Sequence, residues 1–479
     1  MQPLAHELFP TPGMLDAFRR CTHLPGCLML DSAMQVQSSA EQPLGRYSFL
    51  MADPFEWIVC PVGQADPLLP VRERLQAFQL ETIEGLPPFQ GGIAGLLSYD
   101  LNRSFESITP QGRDEFGLPA LAVGCYDVVI AWDHQQNRSW IFSSGFPATT
   151  VAERTRLARA RSKQFEKMIR SRNREPALTT VRDRQPPTPV ANQFVVPGPI
   201  GLTSNFSAAQ YLAAVQKCIA YIYAGDVFQI NLAQRLLFPA NCPAAELYER
   251  LRQCNPAPFS GYFDLKRSSD TGPHLQIVSA SPERFIAVRG RVVETRPIKG
   301  TRRRTGTPLV DIHAKTELEN SVKDRAENTM IVDLMRSDLS RCCTDDSIEV
   351  TQFCELEQYQ SVLHLVSAVQ GKLKPECDLV DLIESVFPGG SITGAPKVRS
   401  MEIIAELEPN VRGAYCGALG YFGFNGNADF SILIRTITVA GGWWQIPVGG
   451  GIVSQSIPTS EYDETWTKAA GMLRALNTE

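Results

Sequence analysis

The sequence predicts an α+β fold, a large two-subdomain α/β sandwich with mainly antiparallel sheets. Three observations predict it. Apolar residues make up 43% of 479 positions, so a large core can be buried. Short strand-like runs bounded by Gly and Pro recur between segments of helical periodicity. The two kinds interleave without a strict strand–helix–strand rhythm, which argues against a doubly wound parallel sheet. By length, roughly two to four ordinary domains fit, or one intertwined unit.

Bulk properties exclude several functions. A net charge of −5 gives no reason to expect a nucleic-acid or membrane partner. The basic clusters at 154–174 and 302–304 are local and lack the aromatic interleaving of a nucleic-acid binder. The 12 cysteines include no CxxC spacing and read as reduced, mostly buried thiols. The opening MQPLAHELFP lacks the basic and apolar regions of a signal peptide. No apolar run approaches the ~20 residues of a membrane span. A cytoplasmic protein is expected.

In residues 1–175, strands are expected at 47–51, 92–97, 123–132 and 140–143. Glycines at 91, 92 and 95 imply close backbone packing or a bulge. Residues 151–170 space Leu157, Phe165, Met168 and Ile169 on a basic background, an exposed amphipathic helix. Six prolines between 174 and 203 mark a linker, placed at 176–203. In the third region, 204–479, Ser207 caps a helix whose apolar face is Tyr211, Leu212, Val215, Ile219 and Ile222, closed by Gly225. Strands follow at 228–237 and twice within 274–295, then a helix over 317–339 and helices over 379–386 and 397–407. Strands at 417–424 and 430–438 precede a last helix over 461–476, with Ser460 and Asp463 as its capping box.

Several of these elements carry chemistry. The run VVETRPIKGTRRR (292–304) sets Lys299 before a Gly-Thr turn and among Arg296, Arg302, Arg303 and Arg304. Like charge and desolvation both disfavour an ammonium, and a lysine so depressed is a nucleophile. A solvated basic turn is the alternative. Glu461, Glu464 and Lys468 share one face of the last helix, which follows a glycine turn at 448–451. Asp324 and Glu327 repeat the i,i+3 spacing on the 317–339 helix. Two such helices can hold one hard cation such as Mg2+, although exposed helices carry many such spacings. Residues 389–397, GGSITGAPK, end at a helix start whose free N–H groups would accept a carboxylate or phosphate. Arg435, in an otherwise apolar strand, needs a partner, and a fork-shaped carboxylate contact is the natural one. His364, between two leucines, reads as a core histidine or a site residue. Together these parts imply a small polycarboxylate held by metal, arginine and glycine amides near a lysine.

The order and wording of the segments resemble the chorismate-utilising enzymes. The matching pieces are GDVFQINL (225–232), NPAPF (255–259), SPERF (281–285), RPIKGT (296–301), AENTMIVDLMRSDL (326–339), HLVS (364–367), FPGGSITGAPK (387–397) and GGGIVSQSIPTSEYDETWTKA (449–469). They span 204–479 nearly continuously, which the resemblance makes a chorismate-binding catalytic domain. Residues 1–175 resemble the family's N-terminal region more loosely, where relatives bind tryptophan. The resemblance implies that Glu327 and Glu464 ligate Mg2+, with Asp324 and Glu461 beside them or acting through water. It gives Arg435 and Tyr415 the enolpyruvyl carboxylate, and places Thr301, Thr393, Gly394, Gly449, Gly450 and Lys468 along the substrate. Glu283 matches the general acid at the departing C4 hydroxyl, and His364 a histidine near the ring.

The branch turns on Lys299. Anthranilate synthases, the alternative within the family, typically read PIAGT where this chain reads PIKGT, and the lysine is similar to that of the aminodeoxychorismate synthase component I branch. Such a lysine adds at C2 as the hydroxyl leaves, and ammonia then adds at C4 and expels it. Gln229 stands where isochorismate- and salicylate-forming relatives place a water-activating lysine. The chain has no glycine-flanked nucleophilic Cys with a downstream His-x-Glu, so ammonia is expected from a separate glutamine amidotransferase subunit. An idle ligand-binding subunit is the reading from another class, and the intact acids and Lys299 argue against it. Ser337, where the family commonly has Asn, is the one departure, expected to touch packing alone.

Overall fold

The structure, a computed structural model, describes residues 1–34, 44–109, 112–171, 188–265, 274–304, 306–358 and 362–476. The first part of the expected linker lies outside the described residues. Among them the strands form one sheet of 13 and one of 10, and every ladder between strands is antiparallel. Strands from both sides of the linker share each sheet. Leu28–Asp31 pairs with Phe259–Leu265, and Gly92–Leu97 pairs with Ala418–Gly423.

The molecule has four layers. The sheets face each other across a core that includes Phe49, Phe142, Phe263 and Ile277 from the larger and Leu96, Ala122, Leu419 and Tyr421 from the smaller. Helices Met14–Cys21, Val151–Ile169, Ala244–Cys254 and Pro458–Leu476 cover the outer face of the larger sheet through Phe18, Phe165, Tyr248 and Met472. Helices Leu69–Ala77, Val322–Ser340 and Leu379–Val386 cover the smaller through Val71, Ile331 and Ile383. Because strands are covered on both faces, runs such as GIAGLL and VVIAWD are apolar without alternation. The glycines predicted to pack closely do so: a Cβ on Gly92 would lie 2.2 Å from the Phe422 carbonyl oxygen, and one on Gly95 2.4 Å from that of Ala122. Ser207 and Gln210 complete a reciprocal cap at the helix Ala208–Tyr223. No helix among the described residues is long and apolar enough to cross a membrane.

Several expected elements differ. The 123–132 run is two strands, Leu121–Tyr126 and Val128–Asp133, in different sheets. Asp127 turns the corner and is held by Arg161 at 3.0 Å. The 430–438 run likewise splits into Ala428–Ile432 and Thr436–Ala440, one in each sheet. The 317–339 helix is two, Pro308–Glu319 and Val322–Ser340, parted where the Ser321 hydroxyl accepts the Asp324 N–H. The last helix starts at Pro458, so Ser460 lies inside its first turn and is not its cap. Residues 449–451 belong to the strand Trp443–Ile452 and form no turn. Ser337 is exposed, so its departure touches no core contact.

Candidate active site

Two of the expected residues sit where the chain passes from one sheet to the other. Glu283 lies between Leu275–Ser281 of the larger sheet and Arg284–Arg289 of the smaller. Arg435 lies between Ala428–Ile432 and Thr436–Ala440, crossing the opposite way, with φ of 53°. The crossings are hydrogen-bonded to each other's strands, through Ile432 N–H to the Glu283 carbonyl and Ala280 N–H to the Arg435 carbonyl. At a crossing a side chain belongs to neither sheet's packed face, so a polar group there need not displace core. Arg435 was expected within a strand and in contact with a carboxylate. It lies outside any strand, and no acidic side chain pairs with it among the described residues. Burial lowers its pKa, which the neighbouring Tyr415 partly offsets. Such a guanidinium is suited to a ligand's carboxylate.

Lys299 lies on Ile298–Arg303, and its Nζ donates to the Ser391 carbonyl at 3.5 Å. Burial lowers its pKa, with Lys468 adding like charge and Glu327 and Glu283 opposing. Three of the neighbouring arginines do not contribute as expected, because ion pairs neutralise them. Arg296 meets Glu357 at 2.5 Å, Arg302 meets Glu317 at 2.8 Å and Arg304 meets Asp311 at 3.5 Å. Glu283, 4% exposed, accepts from the Ser391 hydroxyl at 2.7 Å and from the Ile298 N–H. Burial pushes its pKa up to about 7, held back by Ser391 and Lys299. A carboxyl titrating there can both give and take a proton near neutrality.

His364 faces Thr301 across the strands, its Nδ1 2.8 Å from the Thr301 hydroxyl. Burial, then Arg435, drives its pKa down to about 3, so the imidazole is neutral. Tyr415 is buried, which raises its phenol well above its ordinary value. Thr393 and Gly394 close the turn after Ser391. The Thr393 hydroxyl donates to the Gly389 carbonyl, and Gly394 (φ 142°) pairs with Ile230. Gly449 and Gly450 pair with Ala233 and Leu232 on Gln229–Pro239. Lys468 Nζ donates to the Gly449 carbonyl at 2.8 Å and meets Glu464 at 2.7 Å. A Cβ on Gly450 would lie 3.3–3.5 Å from Glu464, Glu461 and Lys468, so only glycine keeps this side open.

The four acids do not gather as expected. Lys323 bridges the helices, 3.8 Å from Glu327 and 3.7 Å from Glu461. Asp324 is drawn the other way, to Arg302 at 3.4 Å and under Gly300. Among the described residues no three His, Cys, Asp or Glu stand close enough together to hold a metal ion. Burial raises Glu327 and Glu461. It does the same to Glu464, but Lys468, Lys323 and Lys299 outweigh it and its pKa is lowered. Three carboxylates that already collect the ammonium groups of Lys323 and Lys468 are nevertheless a donor set of hard oxygens, the kind a divalent cation such as Mg2+ prefers.

Sequence reasoning passed over two residues here and used a third for one purpose only. Ser391 touches both Lys299 and Glu283, yet a serine in a glycine-rich turn gives no signal of it. Lys323 becomes visible only once two distant helices are neighbours. Gln229 was noted for its branch alone; its buried amide makes no hydrogen bond among the described residues and lies against Gly451, whose Cβ would be 2.2 Å from Nε2. Elsewhere a cavity of about 670 Å³ is lined by Asp31, Ser32 and Arg46 from the N-terminal half and by Arg284, Arg289 and Asp429 from the C-terminal half. All 12 cysteines are free thiols, and nine are buried.

The sequence matches the family described as chorismate binding enzyme over residues 26–474. It is 36% identical over 445 residues to an aminodeoxychorismate synthase component 1 of Bacillus subtilis, covering 90% of this chain and 89% of that one. It is 37% identical over 433 residues to an anthranilate synthase component 1 of Streptomyces coelicolor, covering 90% and 81%. The solved anthranilate synthase component I from Streptococcus pneumoniae TIGR4 matches with a TM-score of 0.72 at 27% identity, over 91% of this chain and 94% of that one.

Proposed function

We propose that this chain, which belongs to the chorismate binding enzyme family, converts chorismate and ammonia to 4-amino-4-deoxychorismate and water, as aminodeoxychorismate synthase component 1. Relatives bearing that name match along nearly the whole chain, at 36% identity over 96% of it in Escherichia coli. One observation separates this reading from anthranilate synthesis. A half-buried amine of lowered pKa, Lys299, meets on Ser391 a carboxyl that is partly protonated near pH 7, Glu283.

The Lys299 amine forms a bond to C2 as both conjugated ring double bonds shift round the ring and the C4–O bond breaks. Glu283 gives its proton to the departing hydroxyl, which leaves as water. Ammonia then bonds to C4, both double bonds return, and the C2–Nζ bond breaks with its electrons returning to Lys299. The surplus proton on the new amine goes to the Glu283 carboxylate, which restores the starting state. Arg435 and Tyr415 orient the enolpyruvyl carboxylate. Thr301, Thr393, Gly394, Gly449, Gly450 and Lys468 line the ring, and neutral His364 keeps Thr301 in place. Glu327, Glu464 and Glu461 would hold a Mg2+ ion, which would supply positive charge for the ring carboxylate, while Asp324 is turned toward Arg302.

The component 1 names of the relatives support a separate glutamine amidotransferase subunit as the source of ammonia. The pathway served is 4-aminobenzoate and folate synthesis, in the cytoplasm. The 670 Å³ cavity, with its guanidinium and carboxylate lining, fits tryptophan as a second ligand.

The test supplies the purified chain with chorismate, Mg2+ and an ammonium salt. The expected product is the 4-amino compound, and anthranilate as the main product would assign the chain to the other branch. Lys299→Ala should cut 4-amination by about 100-fold or more; undiminished activity rules out the covalent route.

A further inference from the structure

We propose that Ser391 is a positioning residue that sets the nucleophile and the proton donor against each other: its hydroxyl holds the Glu283 carboxyl while its carbonyl receives the Lys299 amine. The distances are 2.7 and 3.5 Å, and the three residues come from three separate segments. Ser391 is 7% exposed and central in the single turn Gly390–Ile392. That turn is clamped. A Cβ on Gly390 would lie 2.4 Å from Leu334 Cδ2 and 2.8 Å from Met335 Cε, so the backbone presses on the helix Val322–Ser340. The Thr393 hydroxyl ties the turn's far end to the Gly389 carbonyl at 3.1 Å. A serine fixed in this way fixes what it touches.

The inference rests on the reading of Lys299 and Glu283 just proposed, and gives that reading its geometry. Proton delivery must coincide with addition of the amine, so the separation of the two groups matters as much as their presence. The Ser391 hydroxyl also stabilises the charged form of Glu283. The other titratable groups facing that carboxyl are Lys299, Lys468 and Cys416, so removing Ser391 leaves the charges around it unchanged.

The test compares the full chain with Ser391→Ala and Ser391→Thr. Two readouts are used: the pH profile of kcat with chorismate and ammonium, and infrared titration of the Glu283 carboxyl, assigned by its loss in Glu283→Gln. In Ser391→Ala, kcat should fall about 10- to 100-fold with KM little changed. The alkaline limb and the carboxyl titration should move up together by about one pH unit. Ser391→Thr, which keeps the hydroxyl, should restore the titration. A fall in kcat with the titration unmoved would reduce Ser391 to packing and overturn the proposal. The infrared titration needs no turnover: should the unaltered chain make no 4-amino product, the functional reading fails while the Ser391–Glu283 pairing is still decided.

Discussion

At the scale of single residues, burial does most of the tuning. It lifts Glu283 to about 7, lowers Lys299 and drops His364 to about 3. Each shift has a consequence for stability whose sign can be worked out. The folded state holds the Glu283 proton more tightly than the unfolded one, so stability falls as pH rises from about 4.5 to about 7. Above that window the cost is about 3 kcal/mol. His364 acts in the opposite sense: its folded pKa is depressed, so its contribution is present above about 6.5 and is lost as pH falls toward 3. Glu283→Gln removes only the first effect. Thermal unfolding should therefore show the variant more stable than the parent at pH 8 and nearly equal to it at pH 4, while turnover is lost. Equal stability at pH 8 would mean that Glu283 is not desolvated as described. A group that destabilises the fold where the enzyme works is retained for its chemistry.

At the scale of elements, two glycines on the strands that flank Gln229–Pro239 separate structural from functional need. Gly394 has φ of 142°, and a Cβ there would lie 2.1 Å from the Gln229 carbonyl oxygen, backbone that cannot step aside. Gly450 carries no such strain, and its added Cβ would meet only the movable ends of Glu464, Glu461 and Lys468 at 3.3–3.5 Å. Gly394→Ala should cost about 3 kcal/mol or more of stability. Gly450→Ala should fold normally in urea titrations yet lose about 10- to 100-fold in kcat/KM. Similar stability losses in both variants would contradict this division. In the sequence the two glycines look alike, each part of a Gly-rich run, because composition does not report φ.

At the scale of the whole molecule, the two ends of the chain are interleaved. Leu28–Asp31 and Gly92–Leu97 sit against strands that arrive more than two hundred residues later. The 670 Å³ cavity has walls from both regions, so a ligand there braces both sheets at once. Tryptophan at about 100 times its Kd should add about 2.7 kcal/mol to unfolding. Scanning calorimetry should show the whole unfolding envelope moving up, and an unmoved envelope at saturating tryptophan would remove that ligand from the cavity.

The sequence by itself determined which chemistry is present and where along the chain it lies: one lysine before a Gly-Thr pair, two acidic helices, an arginine in an apolar run and two glycine-rich runs. The tertiary structure alone decided that the 123–132 and 430–438 runs each change sheet, that Ser391 meets residues 92 and 108 positions away, and that Lys323 stands between two helices. The reason is range. Hydrophobic periodicity is read over a dozen residues and reports burial, whereas the sheet a strand joins and the partner a buried polar group finds depend on segments that sequence spacing does not bring together.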